Sequence, residues 1–234
     1  MLLGTRAIGT VAYLGGVPAV LEEFCWSFSQ LLIFSRETLC SPTQHIHASR
    51  VKFSDHAPAR NALASGFLGE WLLQLDCDHS FDPDLLVRML DLMNSADIDV
   101  LTGLYRYKAP PHSPVLFQRE VEDGLLRPVA KWEPLDIRLF EVAAAGAGCL
   151  LVRRRVFDAI WETGEEPFDR IHPMSEDLSF FERLRKLGIK SYVAPHIECG
   201  HLIAKPVGEE EQSACSGDIN MSELFAVGAY GVNS

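Results

Sequence analysis

Two aspartates one residue apart, Asp76 and Asp78, end the apolar run Trp71-Leu72-Leu73-Gln74-Leu75. In an extended chain, residues i and i+2 point to the same side, so the two carboxylates share a face. Like charges this close repel, and burial strengthens the repulsion. A divalent cation removes it. Oxygen donors suit Mg2+ or Mn2+, ions that keep several waters and bind substrate phosphates. The alternative is a plain turn, because Asp-x-Asp is common and Pro83 opens a helix just beyond.

Four further groups each have a chemical and a structural reading. Ser175-Glu176-Asp177 opens an amphipathic helix. Acids there complement the helix dipole, or a carboxylate kept ionised by that dipole serves as a general base toward a hydroxyl. His201, in Cys199-Gly200-His201, is a hydrogen-bonding residue or a metal ligand, and no paired Cys/His motif completes a four-ligand zinc site. Arg60, in Ala59-Arg60-Asn61, is a surface helix charge or a bidentate grip on a phosphate or base edge. Gly146 and Gly148, in Ala143-Ala144-Ala145-Gly146-Ala147-Gly148, permit tight strand packing or close approach of the backbone to a ligand. The run is not GxGxxG and no Gly-Lys-Ser/Thr occurs, so dinucleotide and P-loop readings fail.

The elements that must position these groups follow from periodicity. Residues 5–14 read as a strand closed by Gly15-Gly16, and Pro18 opens a helix to about Phe34. A turn-rich stretch covers 41–58, a helix 59–66 and a buried strand 71–75. Pro83 stands at the first position of the next helix, whose inner face carries Leu86, Met89, Leu90 and Met93. A strand at 99–104 precedes an irregular segment, 105–140, rich in Pro and charge, in which one hairpin is expected. Then come a strand at 146–152, a short helix at 154–162, a helix from Ser175 to Lys186 with Gly188 as its left-handed cap, and a strand at 191–194. Strands alternating with helices predict an open α/β sheet with ligands at the carboxyl ends of its strands. The irregular middle argues against a purely parallel sheet.

The 234 residues suit one large domain or at most two small ones. With 47% hydrophobic and 23% charged residues, the chain is neither disordered nor fibrous. Its net charge of −11 creates no general field for nucleic acid or anionic membrane, so a bound phosphate needs a local basic site or a metal. No apolar run reaches about eighteen residues, so no spanning helix is expected. The N-terminus lacks a secretory pattern, and the six cysteines are dispersed without CxxC, which points to reduced thiols and a cytoplasmic location. Residues 206–234 read as an acidic, flexible tail.

Taken in order, these features resemble the GT-A glycosyltransferases of the nucleotide-diphospho-sugar transferase superfamily, and within them the family 2-like enzymes. The residues that carry the resemblance are Ala59-Arg60-Asn61, Asp76-Cys77-Asp78 before a Pro-capped helix, Gly146-Ala147-Gly148-Cys149-Leu150-Leu151-Val152, Ser175-Glu176-Asp177-Leu178 and the late His201. It spans about residues 5–205. It implies a single GT-A domain over 1–205, with an open mixed sheet flanked by helices. It implies Asp78 and His201, with Asp76, as ligands of Mn2+ or Mg2+ bridging the donor's diphosphate. Asp177 becomes the base of an inverting reaction, with Glu176 beside it. Arg60, Asp76, Gly146 and Gly148 contact the donor, a UDP-sugar in the first place. The segment with Arg106, Lys108 and Trp132 forms the acceptor wall. The acceptor is expected to be a glycan, a small molecule or modified nucleic acid. Two rivals stand beside this expectation: a sugar-nucleotide nucleotidyltransferase, which usually has a basic loop after the first strand that is missing here, and a non-catalytic nucleotide-sugar-binding module.

Overall fold

The structure, a computed structural model, describes residues 5–15, 20–52, 55–120, 122, 124–129 and 138–203. The chain begins with β1 (Arg6–Gly15), α1 (Glu22–Leu39), β2 (Gln44–Lys52), α2 (His56–Gly66), β3 (Trp71–Asp76), the two-residue β4 (His79–Ser80) and α3 (Leu85–Ser95). It continues through β5 (Val100–Leu104), β6 (Leu116–Arg119), β7 (Leu126–Pro128), β8 (Phe140–Val142), β9 (Ala144–Ala145) and β10 (Cys149–Arg153). The last elements are α4 (Arg154–Trp161), α5 (Glu176–Lys186), β11 (Ser191–Glu198) and the two-residue β12 (Gly200–His201). All belong to one unit ending at Leu202; of the second unit, only Ile203 is described.

Seven strands form one open sheet in the order β2-β1-β3-β10-β5-β11-β8. β2, β1 and β3 are parallel, as are β5 and β11, while β10 and β8 run against their neighbours. The sheet is therefore mixed, as expected. Side chains alternate across each strand, and the core divides accordingly. Leu72, Val100, Leu150 and Val152 pack on one face with Leu63, Phe157, Phe180 and Leu184 from α2, α4 and α5. Leu73, Leu75, Leu101 and Leu151 pack on the other with Phe24, Leu31, Leu86 and Met89 from α1 and α3. Each such burial stabilises by about 1.5–3 kcal/mol, so the apolar layers fix the strand positions that the site inherits.

The reversed β10 matters most for function. Its amino end lies beside the carboxyl ends of β3 and β5. Cys149 pairs with Leu75, and the Asp76 N–H donates to the Gly148 carbonyl at 2.9 Å. One edge of the sheet thus gathers Asp76, Tyr105, residues 146–148 and residues 199–201.

Several boundaries differ from the sequence reading. Residues 44–52 form β2, parallel to β1, where only turns were expected. As an outer strand it is half-exposed, and Gln44-His45-Ile46-His47 disguises its period. α1 continues to Leu39 rather than stopping near Phe34. α3 starts at Leu85, whose N–H bonds to the Asp82 carbonyl at 3.1 Å, so Pro83 sits in the turn leading in. The irregular segment holds the expected hairpin, β6 with β7, and two short strands follow at its end, β8 and β9. β10 starts at Cys149 and β11 reaches Glu198. α5 runs from Glu176 to Lys186, and Gly188 has φ 71°, a left-handed position that glycine adopts without strain. Among the described residues, no helix is long and apolar enough to cross a membrane. Pro18, Trp132 and residues 206–234 lie outside the described residues.

Candidate functional site

Past the end of β3, the chain turns through Cys77-Asp78, and β4 pairs antiparallel with β12, setting His79 directly opposite His201. The Leu202 N–H bonds to the Asp78 carbonyl at 2.7 Å and closes the turn. Directly opposed residues put their side chains on one face. The two imidazoles stack with centroids 4.6 Å apart and planes 13° from parallel. Tyr105 meets both rings edge-on, at 4.7 and 5.9 Å. One ligand-capable atom from each of Asp78, His79 and His201 lies within 4.8 Å of the other two.

The state of each group fits a cation. His201 Nδ1 is 2.7 Å from the Arg106 carbonyl. A carbonyl only accepts, so Nδ1 carries a proton, and Nε2 lies 3.3 Å from Asp78 Oδ2. A backbone carbonyl behind the ring is the usual support of a ligating histidine. His79 is 1% exposed, and neither ring nitrogen has a hydrogen-bond partner. Its Nδ1 is 3.1 Å from Asp78 Oδ1 but out of line for a hydrogen bond. The Lys108 ammonium rests 2.7 Å from Asp78 Oδ2, a positive charge at the point where an ion would bind. Burial opposes ionisation of Asp78, but the His79 ring and the Lys108 ammonium outweigh it and hold the carboxyl well below the usual range. Beside His201 lies a cavity of about 480 Å³ lined by Tyr107, Lys108, Pro110, Pro111 and Ser113, within the size range of small-molecule sites. A larger cavity of about 760 Å³, beside β8, contains none of these groups.

Asp76 belongs to a second cluster. Arg60, 3% exposed, donates to Asp76 Oδ1 at 3.0 Å, to Gln74 Oε1 and the Ala147 carbonyl at 3.2 Å each, and to Glu176 Oε1 at 3.5 Å. Its guanidinium therefore ties α2, β3, the loop before β10 and α5 together. It is not a surface helix charge, and it points to these partners rather than to open space. Burial would weaken its charge, but Asp76, Glu176 and Asp177 more than compensate and keep it cationic. Asp76 is not part of the Asp78–His79–His201 group, against the expectation that it joins them as a ligand; its Oδ1 accepts from Arg60 instead. Glu176, 9% exposed, is the other anion of that buried pair.

Asp177 stands next to it at the start of α5. The Ser175 hydroxyl and, at 2.8 Å, the Leu178 N–H both donate to its Oδ1, which leaves Oδ2 as the oxygen available for a proton. Burial and the Glu176 charge outweigh these bonds and Arg60, so its pKa is raised above the ordinary aspartate value. Its charge acts on Tyr105 and Tyr107 as well as on Arg60. Gly146 and Gly148 are buried. A Cβ on Gly146 would overlap the Tyr105 hydroxyl, and one on Gly148 would lie 2.8 Å from His79 Cε1 and 3.2 Å from Asp76 Oδ2. The Gly148 N–H donates to the Tyr105 hydroxyl at 3.2 Å. The small residues thus let Tyr105 and His79 press against the backbone.

The structure brings Asp78 and His201 together, joins Arg60, Asp76 and Glu176 in one buried network, and sets Asp177 beside it. Sequence reasoning missed His79, although it follows Asp78 directly. The two-residue strand that aims its ring is too short to leave a periodic signal.

No family model matches the chain, and no curated protein matches it. Among solved structures, the chain is similar to that titled "Crystal Structure of A197 from STIV", with 16% identity over 86% of this chain and 87% of that one, and a TM-score of 0.53. At that identity the likeness concerns the fold alone: a mixed, open α/β sheet flanked by helices.

Proposed function

We propose that the protein is a metal-dependent glycosyltransferase of the GT-A, family 2-like kind. It moves a sugar from a nucleoside-diphosphate sugar, with UDP-sugars first among the donors, to an acceptor hydroxyl with inversion. One observation carries the reading. Asp78 and His201, 123 residues apart in the chain, meet at 3.3 Å where β3 ends, with the His201 ring held by the Arg106 carbonyl. In a chain of net charge −11, a diphosphate leaving group needs such a local positive centre. Mn2+ or Mg2+ held by Asp78 and His201 would supply charge neutralisation of the departing diphosphate.

The chain's own residues divide the remaining work. Arg60 fixes Asp76 and Glu176, so the end of β3 and the start of α5 keep their spacing. Asp177 Oδ2 accepts the acceptor's hydroxyl proton as that oxygen bonds to the anomeric carbon and the bond from sugar to phosphate breaks. A raised pKa brings this carboxylate closer to working pH, where a base of this kind contributes typically about 10²–10⁴-fold. Lys108 and Tyr107 border the cavity beside His201, the place for donor phosphate or acceptor.

The test is release of UDP from UDP-sugars in added Mn2+. Asp78→Ala should lose both metal-dependent donor binding and turnover. Asp177→Ala should lose turnover while donor binding persists. Unimpaired transfer by Asp177→Ala overturns the assignment of the base.

A further inference from the structure

We infer that His79 is a third protein ligand of the cation at Asp78 and His201, and that this centre of two imidazoles and one carboxylate takes a first-row transition ion in preference to Mg2+. The inference rests on the cation-site reading above and adds to it both a ligand and a class of metal.

His79 is buried to 1% exposure; its Nε2 has no hydrogen-bond partner, and its Nδ1 has only the contact with Asp78 Oδ1 at 3.1 Å, out of line for a hydrogen bond. A buried polar atom without a partner costs free energy. A ring that only filled the space between Tyr105, His201 and Gly148 would need no nitrogens, since a phenyl fills the same volume without that cost. The ring is also aimed. The β4–β12 register sets it opposite His201, and a slip of one residue would turn it to the other face. The ligand atoms of the three side chains span at most 4.8 Å. Two ligands about 2.1 Å from one ion are about 3 Å apart when adjacent and about 4.2 Å apart when opposite. A small contraction therefore closes the site once Lys108 leaves Asp78.

The donor set determines the metal. Carboxylates and waters suit Mg2+ and Ca2+, whereas imidazole nitrogen favours the transition ions, with affinity rising from Mn2+ through Co2+. Two imidazoles make that rise steep, and one makes it shallower. Three protein ligands leave the other coordination positions to water and to phosphate oxygens.

The first experiment is pulsed electron paramagnetic resonance of the Mn2+-loaded wild-type protein, which counts imidazole nitrogens coupled to the ion. Two imidazoles are expected, and one overturns the inference. The second is metal competition with Mg2+, Mn2+ and Co2+ on wild type, His79→Gln and His79→Phe, each checked for folding by circular dichroism. Folded His79 variants should bind Mn2+ and Co2+ at least about tenfold more weakly, a loss at least as large as that for altered outer-shell partners. Their preference for Co2+ over Mg2+ should shrink. Wild-type affinities and preferences in a folded variant overturn the inference. If neither variant folds, the imidazole count in the wild type decides. Wild-type protein that binds an ion through His201 but not His79 removes only this inference. Wild-type protein that binds no ion, with or without UDP, removes the reading beneath it too.

Discussion

Lys108→Ala should tighten divalent-cation binding. The Lys108 ammonium lies 2.7 Å from Asp78 Oδ2, the oxygen that also faces His201. An arriving dication must displace that ammonium, and any repulsion from the displaced charge acts in the same direction. Lysine and aspartate side chains here are 43% and 37% exposed, so solvent screens the pair. Exposed pairs of this kind contribute about 0.2–1 kcal/mol, which corresponds to about a 1.4- to 5-fold gain in Mn2+ affinity for the variant. Titration followed by the free-Mn2+ resonance signal measures it directly. Exposed charges are screened by salt, so the gain should shrink between low and high ionic strength. Weaker Mn2+ binding by Lys108→Ala refutes the competition, and so does a gain that grows with added salt.

Three other perturbations test the surrounding framework. Arg60→Ala leaves the buried Glu176 and the half-buried Asp76 without their cation, a loss of about 3–5 kcal/mol. Calorimetry should record a Tm lower by about 6–20 °C for a domain of this size, and a drop under about 2 °C speaks against the network. Asp177→Asn should abolish transfer yet raise Tm at neutral pH. The fold raises this pKa, so it favours the protonated form, and the wild type loses stability as pH rises through the folded value. The gap between variant and wild type should close below the ordinary aspartate range, and the acid limb of the wild-type rate profile should lie above that range. Gly148→Ala forces a methyl to 2.8 Å from His79 Cε1. It should destabilise by about 1–3 kcal/mol and weaken Mn2+ binding in the folded protein, whereas unchanged stability contradicts the packing described.

What the sequence disclosed depended on how local each signal was. Buried strands such as Trp71-Leu72-Leu73-Gln74-Leu75 and helices with a marked cap such as Gly188 were legible because their patterns lie within a few residues. β2 was not, since a half-exposed outer strand carrying His45 and His47 has only a partial alternation. The reversal of β10 is set by the long-range pairing of Cys149 with Leu75, which no local pattern encodes. The same division holds at the site. Asp78, Asp177 and His201 stood out by residue type and position. Arg60 was noticed, but its partners come from three other segments, so its burial and its hold on Asp76 were not readable. His79 was hidden because its orientation comes from a ladder of two residues per strand.

The central claim is that a cation on Asp78 and His201 holds a nucleoside diphosphate. Thermal unfolding of the wild type and Asp78→Asn with UDP, in Mn2+ or in chelator, tests it most directly. Ligand at about a hundred times its dissociation constant stabilises by about 2.7 kcal/mol, a Tm rise of about 5–11 °C. That rise is expected for the wild type in Mn2+ and not in chelator. An equal rise in chelator or in Asp78→Asn, or no rise with any nucleoside diphosphate, contradicts it.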